Sequence, residues 1–244
     1  MALLLCHSSK GGTGNTFVAA HLALALVEHG ADVTLLSTAA MDSLPLHFGL
    51  PPSTRLPGFN AGADRAVVAS GISLRNDPRA PADPDFAATL RDLGFLDNGD
   101  RVLVLDVAAG DLGLARALLP LARAHVCTLP AAPESLSLLP DYLDIERGCW
   151  SDHSVVAINM LDETRKLTRH TAAFLRELLG ARLVGRVRRD EAVPEALASL
   201  QYLSRYAPAS AALADVAALA RAVAPMLERP TLAEQIVPGR SWIA

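Results

Sequence analysis

The chain has 244 residues, of which 51% are hydrophobic and 5% aromatic, and carries a net charge of −4 at neutral pH. This length suits one large α/β domain with a sizeable core, and a composition rich in Ala and Leu suits helices packed closely on a sheet. The acidic balance and the lack of a long basic run argue against broad electrostatic binding to nucleic acid.

Residues 1–6 (Met-Ala-Leu-Leu-Leu-Cys) are too short for a signal peptide's apolar region and run into a Gly-rich loop instead of a cleavage site. No uninterrupted apolar stretch reaches the roughly 18 residues of a membrane span. A soluble cytoplasmic protein is therefore expected. Cys6, Cys127 and Cys149 are scattered and form no C-x-x-C pair, so they are expected to be buried thiols and not a metal or redox site.

Apolar runs alternate with helical patterns along the chain. Residues 2–7 read as a strand, and 15–29 as a helix closed by Gly30. Further strands are predicted at 32–37, 101–107, 124–129, 154–159 and 182–187. Helices are predicted near 84–96, 112–122, 134–147, 165–179, 190–199 and 209–227. Continuous apolar strands separated by helices imply a mostly parallel sheet covered on both faces, with about seven or eight strands. Residues 50–84, rich in Pro and Gly, break this rhythm and read as a long surface excursion with a short hairpin around 66–74. The rhythm then resumes, so 1–244 is expected to be a single domain, with 229–244 as a flexible tail.

The stretch Ser9-Lys10-Gly11-Gly12-Thr13-Gly14-Asn15-Thr16 lies between the first strand and the first helix. Glycines there let backbone N–H groups turn toward phosphate oxygens, and the helix N-terminus adds its positive end. Thr16 is placed to bind Mg²⁺ through its hydroxyl. The bland alternative is a Gly-rich turn without a ligand. Asp106 closes the strand at 101–107 and reaches Gly110 four residues later; it is either a holder of Mg²⁺-bound water or a solvent-facing turn residue.

This loop resembles the deviant phosphate loop of the MinD/ParA superfamily. The resemblance implies a three-layer P-loop NTPase fold, ATP with Mg²⁺ as cofactors, and a homodimer in which Lys10 reaches the partner's phosphates. The lysine expected inside the loop is Asn15, which would offer an amide donor in place of a charge. The two aspartates expected after the second strand are replaced by Ser37 and Ala39, with Asp42 three residues beyond the second place. Asn159, ending the strand at 154–159, matches an Asn that reads the adenine edge in that superfamily. Phosphoryl transfer depends on positioned charge and an oriented water, so these losses imply binding without efficient hydrolysis and leave no catalytic residue to assign.

Residues 46–50, 158–198 and 206–223 resemble the BcsQ (YhjQ) family, MinD/ParA-type proteins encoded with bacterial cellulose synthase. The resemblance implies a role in assembling, positioning or activating the synthase complex. Partners would be its cytoplasmic parts and small accessory subunits, with any membrane contact made indirectly at the inner membrane. The stretch RRDEAVPEAL is its most specific signal. Arg188, Arg189 and Asp190 either border the nucleotide or form a surface ion-pair cluster capping the helix that starts near Asp190. The same residues also allow an active ATP-dependent dimerising switch or a nucleotide-free structural partner.

Overall fold

A computed structural model describes residues 2–92, 101–146 and 148–228. Its centre is β1 (Ala2–His7), whose six residues are all buried. Side chains alternate along a strand, so Leu4 and Cys6 join the core on one face of the sheet while Leu3 and Leu5 join the core on the other. An unbroken apolar run is what burial on both faces requires.

α1 (Asn15–Glu28) follows the loop and lies on the Leu4 face. It ends where expected. Gly30 adopts φ +89°, Ala31 N donates to the Leu26 carbonyl at 3.1 Å, and Gly30 N donates to the Val27 carbonyl at 2.9 Å. This is the paired-bond stop that a left-handed glycine permits. β2 (Asp32–Ser37) returns through the sheet, followed by a four-residue helix that the sequence pattern missed, α2 (Leu44–His47).

The Pro- and Gly-rich excursion contributes more than surface. β3 (Val67–Ala69) and β4 (Ile72–Asn76) form the expected hairpin, turned by Ser70 and Gly71 at φ +50° and +78°. Positive φ at both turn residues matches the twist of the strands. β4 pairs in parallel with β2, so the hairpin extends the main sheet. Arg75 Nη1 donates to the carbonyls of Gly58, Phe59 and Ala61 at 3.0, 2.8 and 3.0 Å, tying the irregular chain to that strand.

The remaining elements are α3 (Phe86–Asp92), β5 (Arg101–Asp106), α4 (Leu112–Leu118), β6 (Ala124–Pro130), α5 (Pro133–Leu143), β7 (Ser154–Leu161), α6 (Lys166–Leu179), β8 (Leu183–Arg188), α7 (Ala192–Ala198), α8 (Leu203–Tyr206) and α9 (Ala211–Val223). Several helices are shorter than their apolar patterns suggested, and α8 was not foreseen. The end of the helix predicted at 84–96, and the tail at 229–244, lie outside the described residues.

The eight strands are ordered β3-β4-β2-β5-β1-β6-β7-β8, all parallel except the β3–β4 pair. Helices α1, α2, α7, α8 and α9 cover one face, and α3 to α6 cover the other. No helix among the described residues is long and apolar enough to cross a membrane. The register sets the site: Ser37 of β2 and Cys6 of β1 both lie opposite Asp106 of β5. Three neighbouring strands therefore end level, at the carboxyl edge where the chain reverses its direction of strand addition.

α9 packs on β8 so closely that a Cβ at Gly185 would stand 2.7 Å from Leu219 Cδ1. Gly185→Val should therefore lower unfolding stability by about 1–3 kcal/mol through overpacking. Urea denaturation of this variant, of Leu219→Ala and of the double variant should show the pair less destabilised than the sum of the singles. Strict additivity would refute the contact.

Candidate functional site

The loop from Ser8 to Gly14 joins β1 to α1 and floors a cleft of about 720 Å³. Gly11 and Gly12 are exposed, with no atom within 4 Å of where a side chain would begin. Gly14 has φ +77°, and a Cβ there would run into Asn159 Nδ2. Only glycine satisfies both conditions. The buried Asn159 donates from that same nitrogen to the Thr13 carbonyl at 2.8 Å, so it braces the loop from behind. The first turn of α1 holds no acidic residue, leaving its unpaired N–H groups and positive end facing the cleft.

Asp106 lies beneath this loop, 3% exposed. Its Oδ1 accepts from Asn15 Nδ2 and its Oδ2 from Thr16 Oγ1, both at 2.7 Å. Burial pushes its pKa up to about 6; the Thr16 and Asn15 hydrogen bonds pull it down, and the nearby Asp42 carboxylate pushes it up. Asp106 is thus no solvent-facing turn residue. Asn15 Nδ2 also donates to the Cys6 carbonyl at 3.1 Å, while its Oδ1 is buried without a partner. Both amide hydrogens are spent on the sheet, so in this geometry Asn15 ties the loop down and presents no donor upward.

At the two altered positions, the Ser37 hydroxyl accepts from Ala39 N at 3.2 Å and no carboxylate is present. Asp42 precedes the Ser43 cap of α2 and accepts from Leu44 N at 2.9 Å, and burial raises its pKa. The sequence reading did not foresee Thr38, which accepts from Ala108 N at 3.1 Å and so links the ends of β2 and β5. Its only sequence signal was its place beside Ser37.

Lys10, Arg188, Arg189 and Asp190 all line the cleft. The Lys10 ammonium makes no ion pair among the described residues, whereas Arg188 is fully engaged. Its Nε and Nη2 each donate to Asp215 at 2.8 Å, and its backbone N does so at 2.9 Å. Arg189 pairs with Glu191 at 2.9 Å. Asp190 accepts from Ser210 Oγ at 2.6 Å and Ala192 N at 3.0 Å, holding the starts of α7 and α9 together. The ion-pair cluster with a capping carboxylate is therefore present, and it forms a wall of the cleft.

The arrangement can hold an anion over the loop and a cation against Asp106 and Thr16. Its architecture is the three-layer α/β fold of the MinD/ParA P-loop NTPases. MinD from Aquifex aeolicus, solved in a MinC:MinD complex, superposes with a TM-score of 0.71 at 16% identity, over 92% of this chain and 96% of that one. MinD from Pyrococcus horikoshii, solved with Mg-ADP, gives 0.67 at 16% identity, over 91% and 95%. A McdA–ATP complex from Cyanothece gives 0.65 at 17%, over 95% and 98%. Within that fold, the chain belongs to the family described as cellulose biosynthesis protein BcsQ, whose pattern matches residues 85–223. An uncharacterized protein of Streptomyces coelicolor is 33% identical over 226 residues, 89% of this chain; the chain spans 53% of that relative's length.

Asp106 also yields a pH prediction. Because its folded pKa is raised from 3.8 to about 6, its contribution to stability is present at low pH and is lost as pH rises from about 4 to about 6. Without divalent cations, the stability of Asp106→Asn relative to the parent should therefore rise by about 3 kcal/mol between pH 4 and pH 7.5. Denaturant titrations across that range measure this, and a pH-independent difference would contradict the burial of a charged carboxylate.

Proposed function

We propose that the chain binds ATP with Mg²⁺ in this cleft and acts as a scaffold or regulatory protein for the bacterial cellulose synthase complex, with very weak hydrolysis. The observation that carries the reading is the buried Asp106 held by Thr16 beneath a glycine loop at a strand-to-helix junction. The residues fit the cofactor. Gly11 and Gly12 leave open space above their backbone, the first turn of α1 carries no acidic residue, and Asp106 is a buried carboxylate short of positive charge. Gly11 to Gly14 would hold phosphate oxygens, and Thr16 with Asp106 would hold Mg²⁺ and its waters. Mg²⁺ would supply charge neutralisation at the phosphates. Slow turnover follows from Ser37 and Ala39, which put no carboxylate beside Asp106 to hold the ion and water together.

The synthase role rests on the family, and its partners would be cytoplasmic parts of the synthase and small accessory subunits. A homodimer is part of the same proposal, because Lys10 lines the cleft without an ion-pair partner among the described residues. Lys10→Ala should leave the monomer folded while weakening ATP-dependent dimerisation, which light scattering would register. An unchanged dimer would remove the cross-subunit role.

Asn15→Lys should tighten Mg-ATP binding by roughly ten- to hundredfold in calorimetric titration and scarcely raise phosphate release. Adding Ser37→Asp and Ala39→Asp should be needed before release rises. If the parent chain already turns over ATP and Asp106→Asn abolishes this, the active-switch reading replaces the scaffold.

A further inference from the structure

A second constellation lies on the opposite face of the sheet from α1, and none of its residues lines the cleft. His7 ends β1, and His125 and Cys127 point the same way from the adjacent β6. Tyr142 reaches them from the last turn of α5. Cys149 follows that helix: its backbone N returns to donate to the Tyr142 carbonyl at 3.0 Å. The return is tight enough that a Cβ at Gly148 would collide with the carbonyls of Asp141 and Tyr142, so glycine is what lets Cys149 fold back. The two histidines and the two thiols are all at most 1% exposed.

The ligand-capable atoms of His7, His125 and Cys149 lie within 4.8 Å of one another. They gather around one atom, the Tyr142 hydroxyl. It is 2.8 Å from His7 Nδ1 and 3.2 Å from His125 Nε2, and the Cys127 and Cys149 thiols lie close enough to bear on its ionisation. A phenol has one proton and two lone pairs, so it can serve both rings, while neither thiol has a geometric hydrogen bond to it. Among the described residues His7 Nε2 is buried without a partner in good hydrogen-bond geometry, the Ala109 backbone being the polar group that acts on the ring. A polar cluster in an apolar core is costly unless every member is satisfied. On hydrogen bonding alone this one is not.

We propose that His7, His125, Cys149 and Cys127 form a structural zinc site. Two imidazoles and two thiols are a common tetrahedral donor set for zinc. Around a shared ion, N and S donors lie about 3.3–3.8 Å apart, so His7, His125 and Cys149, within 4.8 Å of one another, would draw together by about 1 Å, and Cys127, on the same face beside His7, would move in as the fourth donor. Binding forms two Zn–S bonds and releases the two thiol protons to solvent. Two thiolates then balance the dication in this buried site. The Tyr142 hydroxyl yields the centre and donates to a thiolate. His125 Nδ1 meets Ser154 Oγ at 2.8 Å, which orients the ring with Nε2 inward. Because His7 directly precedes Ser8, the ion would anchor the strand end from which the glycine loop departs.

The test uses the full chain, stripped with chelator and titrated with Zn²⁺ or Co²⁺. The expected result is one metal per chain, with the visible bands and thiolate charge-transfer absorption of tetrahedral Co²⁺. X-ray absorption on the zinc-loaded parent should show mixed nitrogen and sulfur neighbours. Cys149→Ser should weaken metal binding by roughly tenfold or more and lose charge-transfer intensity. If that variant does not fold, the parent's absorption spectrum decides. Failure of the parent to take up either metal, neighbours that are only oxygen or nitrogen, or unchanged affinity in a folded Cys149→Ser would each overturn the site.

Discussion

The carboxylate of Asp106 is the constraint on which the site's geometry depends. It is held in the core by two hydrogen bonds of 2.7 Å, with β2 and β1 ending level on either side. Hydrogen bonds to a charged group are worth about 1.5–3 kcal/mol each, but burial outweighs them, and the group's pKa rises to about 6. The same two bonds fasten the first turn of α1 to the end of β5. The loop between them therefore spans two fixed points.

Behind the loop, close packing takes over from charge. Gly14 has no room for a side chain because Asn159 stands against it, and Asn159 in turn holds the Thr13 carbonyl. Asn15 completes the floor by bridging Cys6 and Asp106. A residue that is polar, short and spent on both hydrogens stabilises the loop without adding positive charge above it. The floor is thus well held while the space over Gly11 and Gly12 stays open.

The far wall works differently. Arg188, Asp215, Asp190 and Ser210 join β8, α7 and α9 through bonds made largely at the surface. Exposed ion pairs contribute little each. Here Asp215 receives three bonds from one residue, including its backbone, and Asp190 serves two helix starts, so the wall is fixed by geometry more than by Coulomb energy.

Periodicity alone was enough to read the parallel core strands, the two-sided covering of helices and the hairpin near 66–74, because continuous burial and tight turns leave local signatures. The glycine loop was legible for the same reason, since its backbone demands are written in neighbouring residues. Short helices such as α2 and α8 left no such trace: four residues carry less than two turns of pattern. What only the tertiary structure decided were the pairings across the sheet. Asn15 meets Asp106 over 91 positions, and His7 meets Tyr142 over 135. Three cysteines without local spacing read as buried thiols, and they are buried; strand order sets Cys127 beside His7, and the return of the chain after α5 brings Cys149 to the same cluster. Side-chain chemistry is set by neighbours in space, and parallel strand order brings distant segments together without marking either one.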